Sequence, residues 1–303
     1  MDAKRRIKLA IKTVGIPLRL RLGTFRHYAP RSPRLPEDLG PRGGERPLVS
    51  VVTPSFNQGS FLDATMRSVL EQSYPRVEYV VQDGGSSDRS AEVIRSHETR
   101  LASWRSEPDR GHGDALNRGF ARTSGELMAW LNSDDLLLPG AIEAAVRVFE
   151  DDPGVDVVYG HRVCVDEDGM EVGRWVLPPH RDGAFVWRDY IPQETMFWRR
   201  SIWERAGARI DDSLGFAVDW DLVLRFRRSG ARFHRIDRLM GGFRTHAAQK
   251  SLAQVEAVGL PEFEALRRRY VEGSRARASA RLESAAYLLA SVGSAWRGVG
   301  RAG

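Results

Sequence analysis

Two adjacent carboxylates, Asp134 and Asp135, close an apolar run, Leu127-Met128-Ala129-Trp130-Leu131, that reads as a buried strand. Open α/β sheets place ligands beyond the C-terminal ends of their strands. Neighbouring acids there repel, a cation between them relieves the repulsion, and an oxygen-rich site of this kind suits Mg²⁺ or Mn²⁺. A plain Asn/Ser/Asp turn ahead of a helix, with Pro139 following, accounts for the same residues without a metal. Asp83 ends a second strand-like run, Val77-Glu78-Tyr79-Val80-Val81, and can accept a hydrogen bond from a nucleobase ring N–H; its Asp-Gly-Gly context is also a good turn. A third run, Leu48 to Thr53, gives way to Pro54-Ser55-Phe56-Asn57. The loop from Ser106 to Phe120 is dense in Asp, Arg, Gly and His, which suits the wall of a polar site. Within it, Asp114 equally serves as a negative charge at a helix N-terminus. Neither a Gly-x-Gly-x-x-Gly nor a Walker A pattern is present, so phosphates would be held by metal rather than by a glycine cradle.

The elements that must position these groups alternate. Strands at 48–53, 77–81 and 127–131 are separated by helices expected at 60–72, 87–97 and 113–122, with a short segment at 101–106. This β-α-β-α order calls for an α/β fold with a mostly parallel central sheet and helices on both faces. A helix at 140–150 follows. Strands then come at 156–159, 161–166 and 171–177, the last two joined by an Asp166-Glu167-Asp168-Gly169 hairpin turn. Helices are expected at 201–207 and 219–229, and 254–292 reads as mostly helical.

The 303 residues carry a formal net charge of +6, but residues 1–46 hold +8 of it and the remainder is −2. The basicity therefore belongs to a tail, and with no recognition motif a nucleic-acid role is disfavoured. Residues 1–15 pattern as an amphipathic helix, with Ile7, Ala10, Ile11 and Val14 on one face and Lys4, Lys8 and Lys12 on another. Such a helix can lie on an anionic membrane or simply be solvated. Residues 26–47 read as a Pro/Arg/Gly linker, dividing the chain into a tail at 1–47, a domain at 48–252 and a helical extension at 253–303. No run reaches the roughly 18 apolar residues of a membrane span, and no signal peptide is evident. The lone Cys164 favours a reducing compartment and a buried packing role, so a cytoplasmic protein, peripheral on the membrane's inner face, is expected.

From Val49 to about Ser251 the chain resembles a family 2 glycosyltransferase with the GT-A fold. The resemblance is carried by Val51-Val52-Thr53-Pro54-Ser55-Phe56-Asn57, Gln82-Asp83-Gly84-Gly85-Ser86-Ser87-Asp88, and Ser106-Glu107-Pro108-Asp109-Arg110-Gly111 with Asp114-Ala115-Leu116-Asn117-Arg118-Gly119. It continues through Trp130 to Asp135, Gln193 to Arg200, Asp219-Trp220-Asp221-Leu222 and Phe243-Arg244-Thr245-His246. It implies that Thr53, Pro54, Ser55, Asp83, Asp109, Asp114, Asn117 and Asp134 bind a sugar-nucleotide donor. Asp135 and His246 would hold the metal, and Asp219 would be the catalytic base. Asp221 is a rival base, and Gln193, Trp198 and Asp221 are candidates for the sugar or acceptor pocket. Two positions depart from the family pattern: Val218 precedes the base where many members carry Glu, and His112-Gly113 replaces bulkier or amide residues, which bears on donor choice.

The implied reaction is inverting transfer of a sugar from a nucleotide donor, UDP-linked, to a hydroxyl of a glycan or lipid-linked acceptor. A carboxylate must take the acceptor's proton on the face opposite the leaving diphosphate. Asp219 reads equally as a helix N-cap. Two alternatives stay open: transfer to a polyprenyl phosphate, which needs no base, and a non-catalytic sugar-nucleotide or glycan binding protein.

Overall fold

The computed structural model describes residues 27–246, 249 and 254–300, with side chains to residue 291. The expected basic helix over 1–15 lies outside them. A nine-stranded sheet in the order β3-β2-β1-β4-β8-β6-β9-β5, with β7 paired to β6, forms the centre. Its first half is parallel: β1 (Val49–Ser55) lies between β2 (Val77–Asp83) and β4 (Leu127–Trp130), and β3 (Ser103–Ser106) flanks β2. The sheet then continues through antiparallel pairings of β8 (Phe197–Arg199) with β4 and with β6 (Val157–Val165). Strand β9 (Phe233–Arg244) runs parallel to β6 and pairs with the short β5 (Leu136–Leu137). The 166–169 turn joins β6 to β7 (Glu171–Trp175) as expected, with Gly169 at φ 79°.

Alternation along the strands divides the core between two faces. Val52, Val80, Met128 and Trp130 face one side; Val51, Tyr79, Val81 and Ala129 face the other. The first side is covered by α3 (His112–Phe120), α5 (Asp182–Trp187), α6 (Arg200–Arg205) and α7 (Val218–Arg228). The second is covered by α1 (Leu62–Leu70), α2 (Ser90–Ser96) and α4 (Ala141–Asp151). Two further helices, α8 (Leu260–Tyr270) and α9 (Ser274–Gly300), add Leu266 and Tyr287 to the first side; Tyr287 stacks on Tyr190 at 3.9 Å. The helical extension thus covers the domain.

Strand β1 runs through Pro54 to Ser55 instead of ending at the proline. Even-numbered residues of β1 turn their N–H towards β4, and β4 pairs with β1 only as far as Val52. The missing Pro54 N–H therefore falls where no strand needs it. Residues 27–47 lie against the domain. Arg46 meets Glu143 and Glu150 of α4 at 3.1 and 2.6 Å, and Arg31 meets the buried Glu171 of β7 at 2.7 Å.

Helix α3 approaches β1 closely at Gly119, where a Cβ would stand 2.4 Å from Cγ1 of the buried Val52. Gly119→Ala is expected to destabilise the protein by about 1–3 kcal/mol through overpacking. The measurement is a lowered urea midpoint at unchanged m-value.

Candidate active site

The parallel strands end together, and their loops are laced. After β1, Asn57 takes a left-handed conformation (φ 53°), donates its N–H to Ser86 Oγ at 2.8 Å and accepts from Ser87 N at 2.9 Å. Asp83 ends β2 fully buried and accepts hydrogen bonds from Ser86 N, Ser86 Oγ and Ser106 Oγ at 2.9, 2.5 and 2.6 Å. Phe56, 61% exposed, projects from this loop cluster, and Ser55 Oγ is buried without a partner. An exposed ring and an unsatisfied hydroxyl beside Asp83 suit a flat polar ligand.

The acidic turn after β4 is clasped by Arg244 at the end of β9. Its backbone N–H donates to Asp135 Oδ1 at 3.0 Å and its Nε donates to the Asp134 carbonyl at 2.9 Å. His246 Nε2 sits 2.9 Å from Asp134 Oδ2, with its ring on Phe61. Asp135 is buried, and its carboxyl is pushed well above the usual range by burial, then by the charges of Asp134 and Glu194. Beneath the turn runs a polar chain. Asn132 Oδ1 faces His112 Nε2 at 3.0 Å, and Asn132 Nδ2 donates to Asp135 Oδ2 and Gln193 Oε1 at 3.3 and 3.2 Å.

Between the acidic turn and α7 lies a buried bidentate ion pair, in which Arg162 Nε and Nη2 meet the two Glu194 oxygens at 2.7 and 2.5 Å. Arg162 lowers and Glu194 raises the carboxyls of both Asp135 and Asp219, in each case behind the effect of burial. Asp219 is in the first turn of α7, and its carboxyl is raised chiefly by burial. Asp189 is raised well above the usual range, by burial and then by the charge of Asp219. The amides of the loop leading into α7 are taken by Glu262, which accepts from Gly215, Phe216 and Ala217 at 2.7, 3.0 and 2.8 Å. Asp219 itself accepts the Trp220 N–H at 2.8 Å in the first turn, which leaves its second carboxylate oxygen for the space outside the helix.

Several residues expected to touch ligand are committed elsewhere. Thr53 is fully buried, with its hydroxyl on Tyr79 OH at 2.9 Å. Asn117 uses both ends of its amide on the Ile210 backbone, at 3.0 and 2.7 Å. Asp114 accepts from Arg110 N and pairs with Arg110 and Arg118, while Arg110 also reaches Asp212, latching the loop before α3 to residues 210–213. Gly113 allows that approach, since a Cβ there would meet Asp212 Cα at 2.8 Å. Asp109 accepts from Gly111 N at 2.8 Å. Trp198 is fully buried and packs edge-on against Trp130, and Gln193 Nε2 donates to Trp130 O at 2.8 Å. Asp221 is fully buried and holds Arg225 Nε at 2.7 Å and Tyr270 OH at 3.0 Å. Two residues further along a helix is about 200° around it, which turns Asp221 away from Asp219.

Arg162, Asp189 and Glu262 were not singled out by the sequence. They lie in segments with no signature of their own, and their partners are 32, 30 and 45–47 positions away. Glu194 was within a motif that carried the resemblance, so its neighbourhood was visible although its ion pair was not.

The assembled cleft can hold a polar ligand over the strand ends, with acids on two sides. Comparison with known proteins accords with this. Mycobacterium tuberculosis has a protein described as an uncharacterized glycosyltransferase that is 33% identical over 184 residues, covering 59% of this chain and 68% of that protein. One from Rickettsia typhi, described in the same way, is 27% identical over 229 residues, covering 73% and 70%. Among solved structures, the mannosyltransferase PcManGT from Pyrobaculum calidifontis, in complex with GDP-Man and Mn2+, has a TM-score of 0.60 at 19% identity, over 99% of this chain and 83% of that one. S. aureus TarS 1-349 in complex with UDP-GlcNAc has a TM-score of 0.54 at 16% identity, over 67% of this chain and 60% of that one. The Glycosyl transferase family 2 model matches residues 50–245, every strand end of this cleft included, and the chain is therefore a glycosyltransferase of that family.

Proposed function

We propose that the chain transfers a sugar from a nucleotide donor, UDP-linked, to a hydroxyl of a glycan or lipid-linked acceptor, with inversion. The observation that carries this reading is the acidic, His-bearing turn at the strand ends, with His246 Nε2 2.9 Å from Asp134 Oδ2, inside the residues that the family model matches. The Arg162–Glu194 pair, which acts on both Asp135 and Asp219, supports a candidate base facing the same space as that turn. Phe56 would stack on the nucleobase, and Asp83 and Ser55 would offer it polar contacts. Asp219 would take the proton of the acceptor hydroxyl as it attacks. Two fold neighbours bound to nucleotide sugars, one with GDP-Man and Mn2+ and one with UDP-GlcNAc, support the donor class.

The residues present fit a divalent cation. Among the described residues no three His, Cys, Asp or Glu side chains enclose such a site. Mn²⁺ and Mg²⁺ at nucleotide sites take only one or two protein ligands, however, the rest being phosphate oxygens and water. Adjacent ligands about 2.1 Å from an octahedral cation stand about 3 Å apart, and His246 Nε2 and Asp134 Oδ2 stand 2.9 Å apart. The geometry therefore favours Asp134 with His246 over the expected Asp135 with His246. Asp135 has one oxygen on the Arg244 N–H and would support the turn. When bound, the ion would neutralise charge developing on the leaving diphosphate. The expected association of the tail with an anionic membrane remains part of the proposal, tested by sedimentation with vesicles of protein lacking residues 1–46.

The test is turnover of UDP-sugars by the full chain with Mn²⁺. Slow release of UDP, abolished by EDTA and reduced about 10–100-fold in His246→Ala, is expected. Donor binding without any hydrolysis or transfer would overturn the reading.

A further inference from the structure

A second polar cavity, of about 350 Å³, opens beside α6, α7 and α8. Five arginines line it, Arg205, Arg209, Arg225, Arg228 and Arg269, against a single acid in the wall, Asp211. Its charge is only partly met from within. Arg205 is held by Asp156 at 2.9 Å, Arg225 by the buried Asp221 at 2.7 Å, and Arg269 reaches Asp211 and Asp221 at 3.5 and 3.6 Å. Arg209 and Arg228 are exposed and make no ion pair among the described residues. At the cavity wall, Arg225 donates its Nη1 to the Ala206 carbonyl at 3.0 Å, while its Nη2 is buried with no partner. Like charges gathered in one hollow favour a counter-anion, and the exposed Arg209 and Arg228 guanidiniums are free to meet it.

We propose that this cavity binds a phosphate-bearing anion, as a site separate from the donor cleft. Guanidinium forks match the oxygens of phosphates, and their hydrogen bonds to an ionised acceptor are among the stronger ones in proteins. The volume exceeds what one phosphate fills and admits a diphosphate or a phosphate with an attached group. The site lies towards the C-terminal end of the helix whose first turn carries Asp219; nine residues at 1.5 Å each separate Asp219 from Arg228 by about 13 Å along the axis. Asp221, rigidly held by Arg225 and Tyr270, fixes the wall. The inference does not depend on the transfer reaction proposed above.

The test is calorimetric titration of the full chain with inorganic pyrophosphate in EDTA, which keeps metal-dependent binding in the donor cleft out of the signal. One saturable site is expected. Its affinity should fall at least tenfold in Arg209→Ala/Arg228→Ala, whose exposed side chains leave the fold intact, and stay unchanged in Asp134→Ala. UDP-sugar turnover should survive the double substitution. Cosedimentation with phosphatidylglycerol vesicles that weakens in the double variant would identify a lipid headgroup as the source. Pyrophosphate binding without such vesicle dependence would identify a soluble ligand, and either outcome upholds the site. No pyrophosphate binding in the unsubstituted protein, or equal affinity in the double variant, would overturn it.

Discussion

Asp219→Asn is expected to lower kcat/KM for transfer by about 10²–10⁴-fold, the range a positioned general base supplies, while donor binding stays near its original strength. The substitution keeps the shape and the contact with the Trp220 N–H and removes only the basicity. The pH profile adds a second reading. Burial holds the Asp219 carboxyl above the ordinary carboxylate range, so the acid limb of kcat/KM should lie above that range too. Stability should move in the opposite sense. A carboxyl whose folded pKa is raised contributes stability fully below its unfolded pKa and loses it as pH rises through the folded value. The unsubstituted protein should therefore lose thermal stability relative to Asp219→Asn across the same window in which activity appears. Asp189 is held well above the usual range by burial and then by the charge of Asp219, so it stays neutral while Asp219 ionises, and Asp189→Asn should leave the acid limb nearly where it is. Near-normal transfer by Asp219→Asn would show that the acceptor needs no deprotonation, as an anionic phosphate acceptor does not.

The largest stability effect is expected at Glu194. Glu194→Gln leaves the Arg162 guanidinium buried between Trp175 and Phe243 without its counter-charge. Breaking one side of a buried ion pair costs about 3–5 kcal/mol, which in a chain of this size lowers Tm on the order of 10 °C. Replacing both partners, as Arg162→Met/Glu194→Leu, should recover much of that loss, because an apolar pair needs no desolvation of charge. Activity should not recover with it, since the charged pair neighbouring Asp135 and Asp219 would be gone. Thermal denaturation and turnover measured on the single and double variants separate the two effects. Recovery of both together would reduce the pair to a packing element.

The local rules of the chain reached the framework. Apolar runs ending in Thr53-Pro54, Asp83 and Asp134-Asp135 gave three parallel strands with polar ends on one edge, and the Asp-Gly turn at 166–169 gave a hairpin. Those signals depend on period and turn chemistry within a few residues. Strand β9 was missed because Arg235, Asp237 and Arg238 interrupt its apolar residues. Its strand character comes from pairing with β6, at Arg162↔Gly241 and Val165↔Arg244.

What the sequence determined by itself is therefore the family, the fold class and the acidic edge, because each is written in contiguous residues. Only the tertiary structure decided which acids act together. His246 reaches Asp134 across 112 positions, Arg162 reaches Glu194 across 32, and Glu262 takes the Ala217 amide at the entrance to α7 across 45. Equally, it turned Thr53, Trp198 and Asp221 inward. The physical reason is that a residue's type fixes what it can bond, while the register of distant strands and the rotation of each helix fix which partner is within reach.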